Sequence, residues 1–153
     1  FCCDRYTGEL FWKVMLTNRS SGGGPILDST AVAYNRIYIA SNALGPKKRM
    51  SVTAALDAYT GDIIWWNPND ALNRAPVAVA NGVFYQGLLD GTVEALDAQT
   101  GAKRWEFKLP TAHRGGISVA NGALYVGNGE NATTAEEASQ NQYSLYAFTI
   151  DGQ

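Results

Sequence analysis

Two arginines recur at equivalent places in the sequence and have the chemistry to bind an anion. Arg74 and Arg114 each stand nine residues after a tryptophan, and each directly follows a second polar residue, Asn73 or His113. Paired guanidinium groups bind carboxylates through forked hydrogen bonds. We therefore predict that these four residues bind an anionic ligand, such as a cofactor that carries carboxylates or another acid.

The same residues also have a simpler interpretation. An arginine in a loop is commonly solvated, or paired with a carboxylate of a neighbouring turn. His113 is the single histidine of the chain, and it suits a surface or hydrogen-bonding position as well as a ligand-binding one. Both interpretations stay open on the sequence alone, which assigns no catalytic residue and no metal ligand.

A repeated motif precedes each arginine and must position it. The pattern Ala-Leu-Asp-Ala-x-Thr-Gly-x-x-x-Trp occupies residues 55–65 and again 95–105, and a shorter copy begins at Asp4. We expect each aspartate to accept hydrogen bonds from the backbone amides two and three residues further on. The glycine supplies the positive φ that closes the turn, and the tryptophan packs against the adjoining repeat. The structural residues predicted in this way are Asp4, Trp12, Asp57, Trp65, Asp97 and Trp105.

Short strands separated by tight turns surround each motif. Residues 75–108 contain four β-prone runs, separated by dipeptides such as Asp90-Gly91 that close antiparallel hairpins. The segments before and after this unit repeat its strands, with insertions confined to loops. The predicted first turns of the three units are Asn35-Arg36, Asn81-Gly82 and Asn121-Gly122.

This repeated succession of short strands and tight turns predicts an all-β protein, a β-propeller of four-stranded antiparallel blades. The chain supplies two complete and two partial blades of a single propeller domain, and the approximate blade pieces are residues 1–16, 22–69, 75–109 and 115–153. Closed propellers have roughly four to eight blades. We therefore expect the remaining blades to come from the same polypeptide or from another chain.

The overall composition excludes some classes of partner. The formal net charge is −2 and hydrophobic residues make up 46%, which favours a packed domain with no basic surface for nucleic acid. No apolar run is long enough for a membrane span. Asn18 and Asn131 begin Asn-x-Ser/Thr sequons, so both are candidate glycosylation sites in a secretory pathway.

The repeat resembles that of a known family. It is similar to the tryptophan-docking repeat of quinoprotein dehydrogenases, which use pyrroloquinoline quinone (PQQ), and of related PQQ-like propellers. The stretch VANGVFYQGLLDGTVEALDAQTGAKRWEFKLP resembles the late blades of quinoprotein alcohol dehydrogenases, and GGGPILDSTAVAYNRIYIASNA resembles the polyvinyl-alcohol-dehydrogenase-like branch. The likeness covers essentially the whole chain and implies the C-terminal part of such a propeller.

This resemblance implies two alternative functions. Enzymes of the family oxidise alcohols with PQQ and Ca²⁺ in the central funnel of an extracytoplasmic propeller, whereas other members with the same repeat are non-catalytic. The family's catalytic aspartate and its Ca²⁺-binding motifs lie mainly in earlier blades and have no match in this sequence. The favoured interpretation is a quinoprotein that oxidises a small-molecule alcohol, and the alternative is a scaffold or extracellular binding module.

Some quinoprotein dehydrogenases carry a disulfide between adjacent cysteines over the cofactor. Cys2 and Cys3 occupy the positions that Ala95 and Leu96 have in the repeat. Adjacent side chains on a strand point to opposite faces, which disfavours a bond between them. We therefore predict that these cysteines are two unbonded strand residues.

Overall fold

The protein is all-β in the part that the structure describes. The computed structural model describes residues 1–16, 26, 29–43, 50–128 and 144–149. Across these ranges no helix has the length and apolarity that crossing a bilayer requires. The strands, in chain order, are β1 Cys2–Cys3, β2 Leu10–Trp12, β3 Ala31–Ala33, β4 Arg36–Ala43, β5 Met50–Asp57, β6 Ile63–Asn69, β7 Ala78–Ala80, β8 Val83–Gly87, β9 Thr92–Asp97, β10 Lys103–Lys108, β11 Ile117–Ala120, β12 Ala123–Asn128 and β13 Ser144–Thr149.

Consecutive strands form four antiparallel sheets. Blade 1 contains β1 and β2, blade 2 contains β3 to β6, blade 3 contains β7 to β10, and blade 4 contains β11 to β13. Strand β7 contacts both β3 and β11, so the first strands of blades 2, 3 and 4 lie side by side. Meandering sheets placed side by side by their first strands are the architecture of a β-propeller, as the sequence predicted.

Two-residue turns with a left-handed backbone set the register of the first hairpin in three blades. The turn of blade 3 is Asn81-Gly82, with φ values of 51° and 74°, and that of blade 4 is Asn121-Gly122, with 50° and 76°. A type I′ turn needs positive φ at both central residues, which asparagine and glycine tolerate. Both of these predicted turns are confirmed.

The predicted turn of blade 2 is wrong by one residue. It consists of Tyr34 and Asn35, with φ values of 53° and 56°, and Arg36 already belongs to β4, where it pairs with Ala33. Tyrosine is uncommon at positive φ, but here its hydroxyl oxygen accepts a hydrogen bond from the backbone N of Gly82 at 2.9 Å. This contact with blade 3 helps to offset the backbone cost, and a turn pattern within one blade does not reveal it.

Each junction between neighbouring blades has its own apolar cluster. Successive side chains of a strand point to opposite faces, and in a propeller each face of a sheet meets a different blade. The junction residues include Ile39, Ala54 and Leu56 between blades 1 and 2, Tyr38, Trp65 and Phe84 between blades 2 and 3, and Val93, Leu124 and Val126 between blades 3 and 4.

Candidate functional site

The three Asp-x-x-Thr-Gly turns share one set of hydrogen bonds. The carboxylate of Asp57 accepts hydrogen bonds from the backbone amides two and three residues further on, at 2.8 and 2.9 Å. Asp4 and Asp97 accept the equivalent bonds at 2.7–2.8 Å. These amides lower the pKa of Asp4 and Asp57, and the guanidinium of Arg104 together with the amides lowers the pKa of Asp97 to about 2. The aspartates therefore shape the turns.

A tryptophan of one blade lies on the turn glycine of the next. Trp12 and Trp65 each donate the indole N–H to a backbone carbonyl in that turn, at 3.3 and 3.1 Å. A Cβ atom on Gly61 would lie 2.6 Å from the Trp12 ring, and one on Gly101 would lie 2.8 Å from the Trp65 ring. Only glycine both adopts the positive φ of these turns and leaves room for the indole.

Among the described residues, Trp105 packs on aromatic side chains of blade 4. Its ring meets that of Phe148 edge-on with centroids 5.0 Å apart, and Phe107 lies 6.2 Å from Trp105 and 4.9 Å from Phe148. Phe148 in turn stacks with Tyr146 at 6.2 Å. Trp105 therefore joins blades 3 and 4 through an aromatic cluster.

The residues that precede the two predicted arginines are buried between blades. Asn73 is 3% exposed, and its backbone N donates a hydrogen bond to Oδ1 of Asn42 in blade 2 at 2.9 Å. His113 is 0% exposed, and its Nδ1 lies 3.0 Å from the carbonyl oxygen of Gly127 in blade 4. The structure thus gives both residues contacts between sheets, and ligand binding by Asn73 and His113 stays a prediction. A ligand would reach these two side chains only after they became exposed.

The two arginines themselves are more accessible. Arg74 is half-buried, and its Nε atom is buried without a hydrogen-bond partner among the described residues. Arg114 is exposed. Arg74 lies on the segment that leads into β7, and Arg114 lies on the segment that leads into β11. These two strands are neighbours at the inner edge of their sheets. Anion binding by Arg74 and Arg114 stays a prediction.

A buried polar network at the junction of blades 2 and 3 is absent from the sequence-based predictions. Gln86 is its centre, because its Oε1 accepts a hydrogen bond from the Thr53 hydroxyl at 2.6 Å and its Nε2 donates one to Glu94 at 2.7 Å. Asn69 donates a hydrogen bond to the same hydroxyl at 2.8 Å. The other carboxylate oxygen of Glu94 lies 2.7 Å from the ammonium nitrogen of Lys103. The network therefore satisfies polar groups that would be costly to bury alone.

The repeat contains a signal for this network. The sheet register places Gln86 opposite Glu94 in blade 3, at the positions where blade 2 pairs Ile39 with Ala54. An apolar pair in one blade is therefore replaced by a polar pair in the next. A position-by-position comparison of the repeats indicates that the two junctions differ in chemistry.

A cleft of about 640 Å³ lies beside the network, between β6 of blade 2 and strands β9 and β10 of blade 3. Lys103 and Lys108 pair with carboxylates in or beside this cleft. Within the described ranges, no group of three or more acidic, histidine or cysteine side chains is arranged to hold a metal ion. The charged residues that line the cleft are Asp70, Asp90, Glu94, Lys103 and Glu106.

The remaining predicted residues have simple outcomes. Asn18 and Asn131, the candidate glycosylation sites, lie outside the described residues. Cys2 and Cys3 lie in β1 as free thiols, half-buried and exposed respectively. The prediction that both cysteines are strand residues is therefore confirmed.

The meandering sheets, the Asp-x-x-Thr-Gly turns and the tryptophans on their glycines define the class of protein as a PQQ-like β-propeller. The family model described as "Outer membrane protein assembly factor BamB" matches residues 2–87 and 89–144. The chain therefore belongs to this family. Among curated proteins, none matches the sequence.

Solved structures of two kinds share the fold. A europium-containing methanol dehydrogenase is 23% identical, with a TM-score of 0.64 over 87% of this chain and 24% of that chain. BamB from Moraxella catarrhalis is 22% identical, with a TM-score of 0.63 over 81% of this chain and 35% of that one. A quinohemoprotein alcohol dehydrogenase from Pseudomonas putida HK5 is 29% identical, with a TM-score of 0.55 over 69% of this chain and 17% of that one. The chain thus spans about a third or less of the length of these structures.

Proposed function

We propose that this chain is part of an extracytoplasmic propeller that binds a quinone and oxidises an alcohol, as in the polyvinyl-alcohol-dehydrogenase-like branch. The similarity to a quinohemoprotein alcohol dehydrogenase at 29% identity supports this function. When bound, PQQ with Ca²⁺ supplies the acceptor for a hydride equivalent from the alcohol carbon. We assign the catalytic base and the Ca²⁺ ligands to blades outside this chain.

The observation that carries this proposal is the Nε of Arg74, which is buried and has no hydrogen-bond partner in the part of the chain that the structure describes. A buried N–H without an acceptor is costly, and a carboxylate of the quinone would satisfy it. Arg114 provides a second guanidinium at the same position of the next blade. In this proposal Arg74 and Arg114 hold the anionic quinone, while Asn73 and His113 hold the connecting segments against the neighbouring sheets.

Equilibrium titration of the full protein with PQQ, with and without Ca²⁺, tests this assignment. Arg74→Gln and Arg114→Gln should each weaken binding about tenfold or more, because a charge-assisted hydrogen bond contributes roughly 1.5–3 kcal/mol. Arg5→Gln removes an exposed arginine of blade 1 and should leave the affinity unchanged. A wild-type protein that binds no quinone, or an equal loss in all three variants, contradicts the proposal.

A non-catalytic interaction module is the second candidate, and the match to the family model of an outer membrane protein assembly factor favours it. In that case the loops of the propeller contact a protein partner, and PQQ does not bind at any concentration. Chemical crosslinking in the native cell followed by mass spectrometry should then recover one stable partner. Quinone in denaturing extracts of the native protein would exclude this alternative.

We also propose that further blades complete the propeller, from the same polypeptide or from another chain. Large apolar side chains are exposed at both ends of the described array, including Phe1 at 83%, Met15 at 70% and Leu145 at 72%. An apolar groove of about 300 Å³ also lies between blades 1 and 2. Burial of these surfaces by further sheets would be favourable. The mass of the native polypeptide, measured after denaturation, distinguishes one chain from two.

A further inference from the structure

His113 is enclosed at the junction of blades 3 and 4. Its backbone N donates a hydrogen bond to the carbonyl oxygen of Leu88 in blade 3 at 3.3 Å, and its Nδ1 lies 3.0 Å from the carbonyl oxygen of Gly127 in blade 4. A Cβ atom on Gly87 would lie 1.7 Å from Cδ2 of the ring, so the imidazole lies directly over this glycine. The side chain therefore touches both sheets at once.

The hydrogen bonds of the ring determine where its proton is. A carbonyl oxygen only accepts, so Nδ1 must carry the hydrogen in its contact with Gly127. The other nitrogen, Nε2, is then an acceptor, and it is buried without a partner among the described residues. A second proton would place a positive charge in the junction and a hydrogen on Nε2, which has no hydrogen-bond partner among the described residues.

The surroundings do not compensate that charge. The titratable and charged groups on the elements that contact His113 are Tyr85 on β8, Asp90 on the loop that follows Leu88, Tyr125 on β12, and Arg114 beside it in the chain; Glu94, Asp97 and Tyr146 lie on other strands of the same two sheets, and Asp90 pairs with Lys108. Of these, Glu94 pairs with Lys103 and Asp97 pairs with Arg104, both on β10. Burial lowers the pKa of His113 below its ordinary value, and the backbone groups of Gly127 and Gly115 oppose this shift only in part.

The equivalent junction of blades 2 and 3 has a side chain that does not titrate. Asn73 occupies the place of His113 in the repeat, with its Oδ1 accepting a hydrogen bond from the backbone N of Ala75 at 3.1 Å. The two junctions therefore share a buried polar residue but differ in their response to protons.

We propose that His113 is an acid-sensitive latch that holds blade 4 against blade 3 while it is neutral and releases it when it is protonated. The contacts given up on release are those of Trp105 with Phe148 and of the apolar cluster around Val126. Because the imidazole has a lower pKa in the closed junction than in water, closure is most stable above about pH 6.5. That stability is lost progressively as the pH falls towards the lowered value.

Hydrogen exchange of the full protein, corrected for intrinsic exchange rates, tests the latch between pH 7.5 and pH 5. The opening constant of amides in β12 should rise by up to about tenfold per pH unit below pH 6.5, which is the limit for uptake of one proton. Amides of β5 should show no such rise. The His113→Asn variant installs the residue of the other junction and should abolish the pH dependence in β12, whereas Arg5→Gln, a substitution of an exposed residue in blade 1, should keep it.

Three outcomes overturn the proposal. The first is an equal pH dependence in wild type and His113→Asn, and the second is an equal rise in β5 and β12, which would mean that acid loosens the whole protein. The third is independent of any variant that fails to fold. It is an imidazole NMR signal of His113 in the wild type that titrates with the ordinary midpoint near pH 6.5 while blade 4 stays protected.

Discussion

The substitution Gly101→Ala tests whether the turn glycine is needed for the tryptophan as well as for its own backbone. Gly101 has a φ of 75°, and an added Cβ would lie 2.8 Å from the ring of Trp65. Gly82 has nearly the same φ, 74°, but a Cβ there would meet nothing within 4 Å. The two alanine substitutions should therefore have the same backbone cost, but only the one at Gly101 also overlaps with a neighbouring side chain.

The expected magnitudes follow from the environment of Trp65. Left-handed backbone costs an alanine about 1–2 kcal/mol at either position. The indole cannot easily move away, because it is 7% exposed and its ring centroid lies 6.2 Å from that of Tyr38 and 6.0 Å from that of Phe84. Overpacking of this kind adds roughly 1–3 kcal/mol. Gly101→Ala should lower the free energy of unfolding by about 2–5 kcal/mol, and Gly82→Ala by about 1–2 kcal/mol.

Urea denaturation of the full protein, followed by circular dichroism, measures these losses. A double-mutant cycle separates the overlap from the backbone cost, because in a Trp65→Ala background Gly101→Ala should cost no more than Gly82→Ala. Equal losses at the two glycines in the wild-type background would refute the reasoning. A loss at Gly101 that persists undiminished without the indole would do the same.

The other predictions concern single side chains. Trp105→Ala should lower the melting temperature, with a loss of up to roughly 3–5 kcal/mol in the free energy of unfolding. Arg114→Ala should leave the melting temperature nearly unchanged and weaken quinone binding. Unfolding of the Arg114→Ala variant would contradict the assignment of Arg114 to ligand binding. The lowered pKa of Asp97, about 2, means that its carboxylate stabilises the fold above about pH 4 and that this contribution is lost as the pH falls towards 2. Asp97→Asn should therefore lower the melting temperature at pH 7 and approach the wild type at pH 2. Gln86→Ala should cost about 1–3 kcal/mol in a denaturation experiment because it leaves buried partners unpaired, whereas the exposed Gln99→Ala should change stability by less than about 0.5 kcal/mol.

The sequence by itself determined the order of strands and turns within each blade of this protein. The three turns at Asp4, Asp57 and Asp97 are closed by hydrogen bonds to amides two and three residues away, so the pattern of residues contains all the partners that are needed. The same is true of the turns at Asn81-Gly82 and Asn121-Gly122, where residue type alone permits the positive φ. Strand boundaries followed from these turns.

Only the tertiary structure determined which side chains meet, and which hydrogen bonds form, at the junctions between blades. The turn at Tyr34 depends on Gly82, 48 residues further on, and His113 depends on the carbonyl of Gly127 in another sheet. Gln86 likewise finds its hydroxyl partner 33 residues away, in the neighbouring blade. The physical reason is that burial and hydrogen bonding of a polar side chain depend on what the facing sheet presents. A local pattern predicts which residues form a strand, whereas the neighbouring blade determines whether a polar residue on that strand meets solvent, a ligand or another sheet.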